Sequence, residues 1–373
     1  MKKVFLVAGA RPNFMKVAPV WERMKQYPDR FDPLLIHTGQ HYDDTMSRVF
    51  LQDLELPEPD VHLGVGSASQ AVQTAKIMIS FEEVVKEKKP DLIMVVGDVN
   101  STLACALVGA KLHLPVAHIE AGLRSYDRYM PEEVNRVLTD QISDFLFTTC
   151  KEAEHNLLQE GIARDKIHFV GNIMIESLLK RQDRVQDSDI LKRLSIAPQE
   201  YILLTLHRPS NVDRKEQLAG ILKAMQEIQE KIPIIFPAHP RTVKRIQEFQ
   251  LGSRISSNHR LRVMDPLPYI DFLRLQKDAA LVLTDSGGIQ EEATFFQVPC
   301  LTLRSNTERP ITVQKGTNQL IGSDPEIIVK KSFTVLTGPR KRTNIPKFWD
   351  DQVSRRIVEV LLEDKRQKKK DKR

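Results

Sequence analysis

Short, uninterrupted apolar runs recur along this chain, and most give way to a stretch with helical spacing. They are Val4 to Ala8, Pro33 to His37, Asp91 to Val96, Pro115 to Ile119 and Phe145 to Thr149, then Tyr201 to Leu206, Ile232 to Pro237, Ala279 to Thr284 and Pro299 to Leu303. A strand that is apolar on both faces must be covered on both faces, the condition of a parallel sheet with helices on either side. The alternation therefore predicts an α/β chain of doubly wound parallel sheets in two halves. With 373 residues, 41% of them hydrophobic, there is enough material for two cores. The break is expected after Gly171-Asn172, giving an N-terminal domain 1–172 and a C-terminal domain 173–350. The charged segment 180–200 goes to the second half as helix and loop. Helical periodicity at 351–368, with no strand after it, is expected to pack back across the junction onto the first domain.

The formal net charge of +6 raises nucleic acid as a partner, but its location argues against it. Residues 364–373 hold seven basic and two acidic side chains, and their +5 leaves +1 for everything before them. No apolar run approaches the roughly 20 residues that span a bilayer, and Met1-Lys2-Lys3 leads directly into a strand-like run rather than a signal peptide. Cys105, Cys150 and Cys300 are far apart and set among apolar neighbours, as small buried hydrophobes in a reducing cytoplasm would be. No metal site, nucleic-acid partner or membrane partner is expected.

In open parallel sheets, ligands bind beyond the carboxyl ends of the strands, and the residues following the apolar runs are unusually polar. They are Arg11, Gly39-Gln40-His41, Asp98 and Glu120 in the first half, and His207-Arg208, His239 and Asp285-Ser286 in the second. Ser286-Gly287-Gly288 follows a buried strand at a helix start, where side chains are removed and backbone N–H groups can reach an anion. Glu292 lies one turn further on and suits a ribose hydroxyl. Arg11, Lys16, Arg136 and Arg309 add positive charge with few acids expected near them, and Glu132-Glu133 opens a helix at Pro131. Cations beside carboxylates describe an anionic ligand and proton transfer. Plainer roles exist for each: Asp98 also suits the cap of a helix near Ser101, Glu120 an ion pair with His118 or Arg124, and each histidine a bond to neighbouring backbone. G-x-G-x-x-G is absent near residue 9, which disfavours a nicotinamide enzyme.

Read in order, Gly9-Ala10-Arg11-Pro12 with Lys16, Thr38-Gly39-Gln40-His41, Val96-Gly97-Asp98, His118-Ile119-Glu120-Ala121-Gly122-Leu123-Arg124, Pro131-Glu132-Glu133 with Asn135-Arg136, His207-Arg208, Asp285 to Glu292 and Thr307-Glu308-Arg309-Pro310 resemble the non-hydrolysing UDP-N-acetylglucosamine 2-epimerases. The resemblance runs over residues 1 to about 330. It implies a GT-B-like fold, with two Rossmann-like domains facing an interdomain cleft, and interconversion of UDP-N-acetylglucosamine with UDP-N-acetylmannosamine. It implies a cytoplasmic homodimer acting on a UDP-sugar without cofactor. By motif position it assigns catalysis to Asp98, Glu120, Glu132, His207 and Lys16. Substrate binding falls to Arg11, Lys16, Arg136, His239, Ser286, Gly287, Gly288, Glu292 and Arg309.

The chain departs from the family pattern at Ala10-Arg11-Pro12-Asn13, where Thr-Arg-Pro-Glu is frequent, and at Pro209-Ser210, where Arg-Glu is frequent. Tyr42-Asp43 and Ser67 to Gln70 replace more basic sequence near Gln40-His41, which argues against a regulatory substrate site there. A 2-epimerase of a modified UDP-sugar of diacetamido-uronate type would share these motifs and differ in pocket shape, and a GT-B glycosyltransferase would share the fold and the nucleotide-binding half. A silent sugar-nucleotide sensor would have no need of Asp98, Glu120 and Glu132 together.

Overall fold

The computed structural model describes residues 1–39, 51, 53–253, 260–340 and 343–364 of the chain. Its contacts divide the chain into two units, one of residues 1–180 with 347 onward and one of Arg181–Pro346. In the first, β1 (Lys2–Ala8), α1 (Arg11–Lys25), β2 (Phe31–His37), β3 (Val61–His62), α2 (Gln70–Lys88), β4 (Leu92–Val96) and α3 (Asn100–Lys111) are followed by β5 (Val116–Ala121), α4 (Pro131–Ile142), β6 (Phe145–Thr148), α5 (Lys151–Gln159), β7 (Ile167–Phe169) and α6 (Ile173–Leu179). The strand order is β3-β2-β1-β4-β5-β6-β7, and every neighbouring pair is parallel.

All five residues of β4 are buried, as a strand covered on both faces requires. Ile93 and Val95 share one apolar cluster with Phe5 and Val7 of β1 and with Ile77, Phe81 and Val85, the buried stripe of α2. Helix α3 lies close on the sheet at Gly109, where a Cβ would come within 2.9 Å of both Ile93 and Val116.

The second unit runs α7 (Gln182–Asp187), α8 (Ile190–Arg193), β8 (Ile202–Thr205), α9 (Pro209–Val212), α10 (Lys215–Ile228), β9 (Ile234–Pro237), α11 (Pro240–Glu248), β10 (Leu261–Met264), α12 (Tyr269–Lys277), β11 (Leu281–Thr284), α13 (Gly287–Phe295), β12 (Cys300–Thr302), α14 (Pro310–Gln314), β13 (Asn318–Leu320) and α15 (Pro325–Thr337). Its strand order, β10-β9-β8-β11-β12-β13, repeats that of the first six strands of the other sheet, again all parallel. Each sheet thus reverses direction once, between β1 and β4 and between β8 and β11. Those are the topological switch points at which an open α/β sheet leaves a crevice for ligand.

The chain returns to the first unit at Lys347 and ends its described part in α16 (Val353–Glu363), which contacts α1 and α6. Ser354 fixes this return, its backbone N–H and hydroxyl donating to the two oxygens of buried Glu176 at 2.6 and 2.5 Å. Burial raises the Glu176 carboxyl above its ordinary range despite those bonds and the nearby Lys180. Helix α6 buries Ile173, Met174, Ile175 and Leu178 and contacts α1, so it belongs to the first unit. The expected break after Asn172 therefore moves to Lys180, because the apolar face of α6 lies on its own N-terminal helix. Gly171 (φ +96°) makes a close approach: a Cβ there would sit 2.0 Å from the carbonyl oxygen of Phe348. Residues 365–373, which include the end of the expected 351–368 helix and most of the basic tail, lie outside the described residues.

Candidate functional site

At the first switch point the loop leaving β1 is tied to the end of β4 by one side chain. Asn13 Oδ1 accepts from the N–H groups of Gly9 and Ala10 at 3.0 and 2.9 Å, while its Nδ2 donates to the Val96 carbonyl at 3.3 Å. An amide can do both, whereas a carboxylate could only accept, so the Asn13 departure changes how this loop is held. Arg11 opens α1. One turn along, Lys16 extends to Glu120, the two forming a buried ion pair, 7% and 6% exposed.

Glu120 reaches that position through a local irregularity in β5. The β5–β6 register shifts between Ile119 and Ala121, leaving Glu120 as an extra residue, and its φ is +73°. A bulge re-aims a side chain that regular alternation would place elsewhere, and a left-handed non-glycine residue costs roughly 1–2 kcal/mol. Gly97 (φ +67°) lies against the pair: a Cβ there would be 3.1 Å from Lys16 Nζ and 3.7 Å from Glu120 Oε2.

Asp98 follows immediately. Its side chain is 29% exposed and meets Arg136 Nη2 at 2.5 Å, while Arg136 Nη1 meets Glu133 at 2.5 Å. It does not cap α3, which starts at Asn100 with Val99 as its N-cap. Glu133 in turn accepts from Ser125 N (2.9 Å), Ser125 Oγ (3.0 Å) and Tyr126 N (2.8 Å), fixing the loop before α4. Glu132 sits beside it, half-buried in the first turn of α4, where the helix N-terminus favours a carboxylate. Two adjacent glutamates thus divide the work, one locked to the loop and one on the helix start.

The plainer role open to Glu120, an ion pair, is met by Lys16 and not by its sequence neighbours His118 and Arg124. Both of those go instead to Asp140, a fully buried residue of α4 that sequence reading passed over. His118 Nδ1 lies 2.7 Å from Asp140 Oδ1, Arg124 Nη1 lies 2.7 Å from Oδ2, and Arg124 makes a second, bidentate pair with Glu160 at 2.7 and 2.6 Å. Burial alone would raise the Asp140 carboxyl, but His118 and Arg124 hold it below its ordinary range.

At the second switch point Asp285 turns inward. It accepts from the N–H of His207 at 3.1 and 3.0 Å, from Arg208 N at 3.0 Å and from Asn211 Nδ2 at 3.1 Å, and His207 Nδ1 lies 3.0 Å away. Burial opposes its charge, yet His207 and these amides keep the carboxyl below its ordinary range. Asp285 thus orients the His207 ring and welds the loop after β8 to the end of β11. His239 N-caps α11, its Nδ1 accepting from Arg241 N at 3.2 Å, and its ring centroid lies 5.8 Å from that of His207.

Ser286 is the N-cap of α13, and its N–H donates to Thr284 Oγ1 at 3.0 Å. The two glycines that follow differ. A Cβ on Gly287 would be 2.3 Å from Glu308 Oε1, while a Cβ on Gly288 would meet nothing within 4 Å. The helix start is therefore closed on one side and open on the other, as backbone N–H groups that receive an anion need. Arg309 pairs with Glu291 at 3.1 Å. Glu292 lies buried beside that pair and accepts from the Tyr269 hydroxyl at 3.1 Å. Burial, opposed by the Tyr269 bond and reinforced by the Glu291 charge, pushes its carboxyl up to about 8.

Lys16, Arg136 and Arg309 were expected to have few acids nearby; each has a carboxylate partner, contributed by a residue distant in sequence or one turn away. Gln40 and His41 lie outside the described residues. A cavity of about 610 Å³ does open in the second unit, but at the amino ends of its strands, lined by Gln199, Ile232, Ala280 and Pro299 with Phe333 and Leu336. It holds none of the strand-end residues above. Among the described residues no group of three or more His, Cys, Asp or Glu could hold a metal ion, and no helix is long and apolar enough to cross a membrane.

Residues 23–362 match a family model described as UDP-N-acetylglucosamine 2-epimerase. The chain is 43% identical, over 96% of its length and 98% of the relative's, to UDP-N-acetylglucosamine 2-epimerase of Methanocaldococcus jannaschii. It is 39% identical, over 96% of its length and 99% of the relative's, to UDP-2,3-diacetamido-2,3-dideoxy-D-glucuronate 2-epimerase of Pseudomonas aeruginosa. A crystal structure of the M. jannaschii enzyme in complex with UDP-GlcNAc and UDP superposes with a TM-score of 0.91, covering 97% of this chain and 100% of that one at 43% identity.

Proposed function

This chain belongs to the UDP-N-acetylglucosamine 2-epimerase family and is a GT-B-like enzyme of that class; from that premise we propose that it interconverts UDP-N-acetylglucosamine and UDP-N-acetylmannosamine without hydrolysis, by eliminating UDP and adding it back. The C2 hydrogen has no neighbouring carbonyl to acidify it, so its direct removal is very costly. In the proposed route a carboxylate takes the C2 proton while the C1–O bond breaks and its electron pair leaves with UDP. The product is a 2-acetamidoglucal, to which UDP re-adds as a proton returns to the opposite face of C2. Positive charge builds at C1 and the ring oxygen, and negative charge on the departing diphosphate.

The observation that carries this reading is the pair of carboxylates at adjoining strand ends, Glu120 beside Lys16 and Asp98 beside Arg136, presented by backbone at positive φ in Gly97 and Glu120. Preorganised charges of this kind act where charge develops. Asp98, Glu120 and Glu132 serve as acid and base, with Lys16 paired to Glu120 and Arg11 supporting the first-unit loop. Arg136 holds Asp98. In the second unit, His207, oriented by Asp285, assists departure of the diphosphate. Ser286 and the Gly287 and Gly288 amides receive it, Glu292 takes the ribose, and His239 and Arg309 contact the rest of the nucleotide.

The test is proton NMR with UDP-N-acetylglucosamine in D2O. UDP-N-acetylmannosamine carrying deuterium at C2 is the expected product; free N-acetylmannosamine with UDP would overturn the non-hydrolysing route. Asp98→Asn should lose turnover and keep UDP binding. Because the chain is 39% identical to an epimerase of a diacetamido-glucuronate, the same assay with that UDP-sugar defines the second reading.

We further propose a cytoplasmic homodimer joined through the first unit. Val72 and Ile79 of α2 and Val134 and Leu138 of α4 are exposed apolar side chains on the two helices that flank α3. Sedimentation equilibrium should give twice the chain mass, and Ile79→Lys with Leu138→Lys should return it to one.

A further inference from the structure

His118 is a fully buried histidine that the proposed chemistry does not use. Its Nε2 lies 2.7 Å from the carbonyl oxygen of Gly97, and its Nδ1 lies 2.7 Å from Asp140 Oδ1. A carbonyl can only accept, so Nε2 must carry a hydrogen. Asp140 also accepts on Oδ2 from Arg124 and from Gly122 N, at 2.7 and 3.1 Å, so it is the ionised form that fits, and Nδ1 must donate as well. An imidazole donating at both nitrogens is an imidazolium. His118 and Arg124 then balance Asp140 and Glu160, and the quartet, buried but for the partly exposed Glu160, is neutral.

The quartet grips the backbone on both sides of the chemistry. Gly97 is held at both ends of its residue, its N–H donating to Ile119 O at 3.1 Å and its carbonyl accepting from His118. The next residue is Asp98. Glu120, two residues after His118, is flanked by Ile119, whose carbonyl takes the Gly97 N–H, and by Gly122, whose N–H is held by Asp140. We propose that His118, as an imidazolium donating to Gly97 and Asp140, is the positioning residue that sets the two left-handed backbone turns presenting Asp98 and Glu120. This rests on the assignment of those two carboxylates to the reaction.

The first measurement is nitrogen-detected NMR of the full chain labelled with [15N]histidine, the His118 signals being those lost in His118→Gln. Two protonated ring nitrogens at neutral pH support the quartet, and one unprotonated nitrogen overturns it. The second is kinetics. In His118→Leu, loss of both bonds lets the turns relax, and a misplacement of about 1 Å at reacting groups lowers kcat on the order of 100-fold. KM and UDP affinity should stay near those of the unsubstituted enzyme, and His118→Gln, which keeps a donor for Gly97, should recover part of the loss. A folded His118→Leu with unchanged kcat, or one whose KM rises while kcat holds, overturns the proposal. If His118→Leu does not fold, the protonation state in the unsubstituted chain decides. Asp98→Asn and Glu120→Gln separate the two readings: if they turn over normally, the carboxylate assignment fails, whatever the His118 signals show.

Discussion

Replacing Glu292 by glutamine should stabilise this protein, and by an amount that depends on pH. The carboxyl is buried, accepts one bond from Tyr269 and lies near the charge of Glu291. Gln276 bonds it, and the Arg181 charge acts on Tyr269. Its folded value of about 8 stands above the ordinary 4.5, so the folded chain holds a proton that the unfolded chain releases. For a group raised on folding, the favourable contribution is complete below the unfolded value and is lost as pH rises towards the folded one. Each pH unit between them is worth about 1.4 kcal/mol, so the whole span from 4.5 to about 8 amounts to about 5 kcal/mol. Glutamine keeps an acceptor for Tyr269 and never ionises. Glu292→Gln should therefore match the parent near pH 4 and exceed it by up to about 5 kcal/mol at pH 9. Urea unfolding of the second unit at a series of pH values measures this directly. A stability difference that does not grow between pH 5 and 8, or a variant weaker than the parent at pH 9, would overturn this account of Glu292. UDP affinity of the same variant reports on the ribose role separately.

The other expectations can be checked with simple variants. Asp285→Asn leaves the partly exposed His207 and two backbone amides with a neutral acceptor in place of a charged one and should cost about 1.5–3 kcal/mol near neutral pH. Because the Asp285 carboxyl is lowered on folding, the parent loses that advantage as pH falls from 3.8 through its folded value, and the two curves should converge in acid. Gly288→Ala, with open space around its new methyl, should leave unfolding unchanged or improve it by about 0.5–1 kcal/mol while weakening UDP binding in a calorimeter. Gly287→Ala collides with Glu308 and should lower the thermal midpoint with or without ligand. Gly171→Ala meets the Phe348 carbonyl at 2.0 Å in a left-handed conformation and should cost about 3 kcal/mol or more; a normal midpoint would show that the return of the chain is not pinned there.

The sheets were legible where their strands are buried on both faces, since Val4 to Ala8, Leu92 to Val96 and Leu281 to Leu283 leave no polar residue to confuse the pattern. The edge strands were not. Val61–His62, Ile167–Phe169, Leu261–Met264 and Asn318–Leu320 are short, and most are only partly buried, so their sequences never build an apolar run. Candidate residues at strand ends could be read from position alone, because topology puts them there. Their partners could not. Asp140 lies 22 residues from His118 and Tyr269 lies 23 from Glu292, separations with no local period. Nor does any residue type announce that β5 holds one residue too many at Glu120.

The second unit is one unbroken stretch, Arg181–Pro346, spliced into the first, and this has a consequence for how the protein is made. A ribosome delivers every strand of the second sheet before it reaches Lys347. Until then α1 waits without the surface of α16, and Glu176 has been buried without Ser354 to bond it. Domains generally fold as units in the order in which they emerge. Here the half that begins first is completed last, and the outer face of its first helix is covered only once Val353–Glu363 has been made.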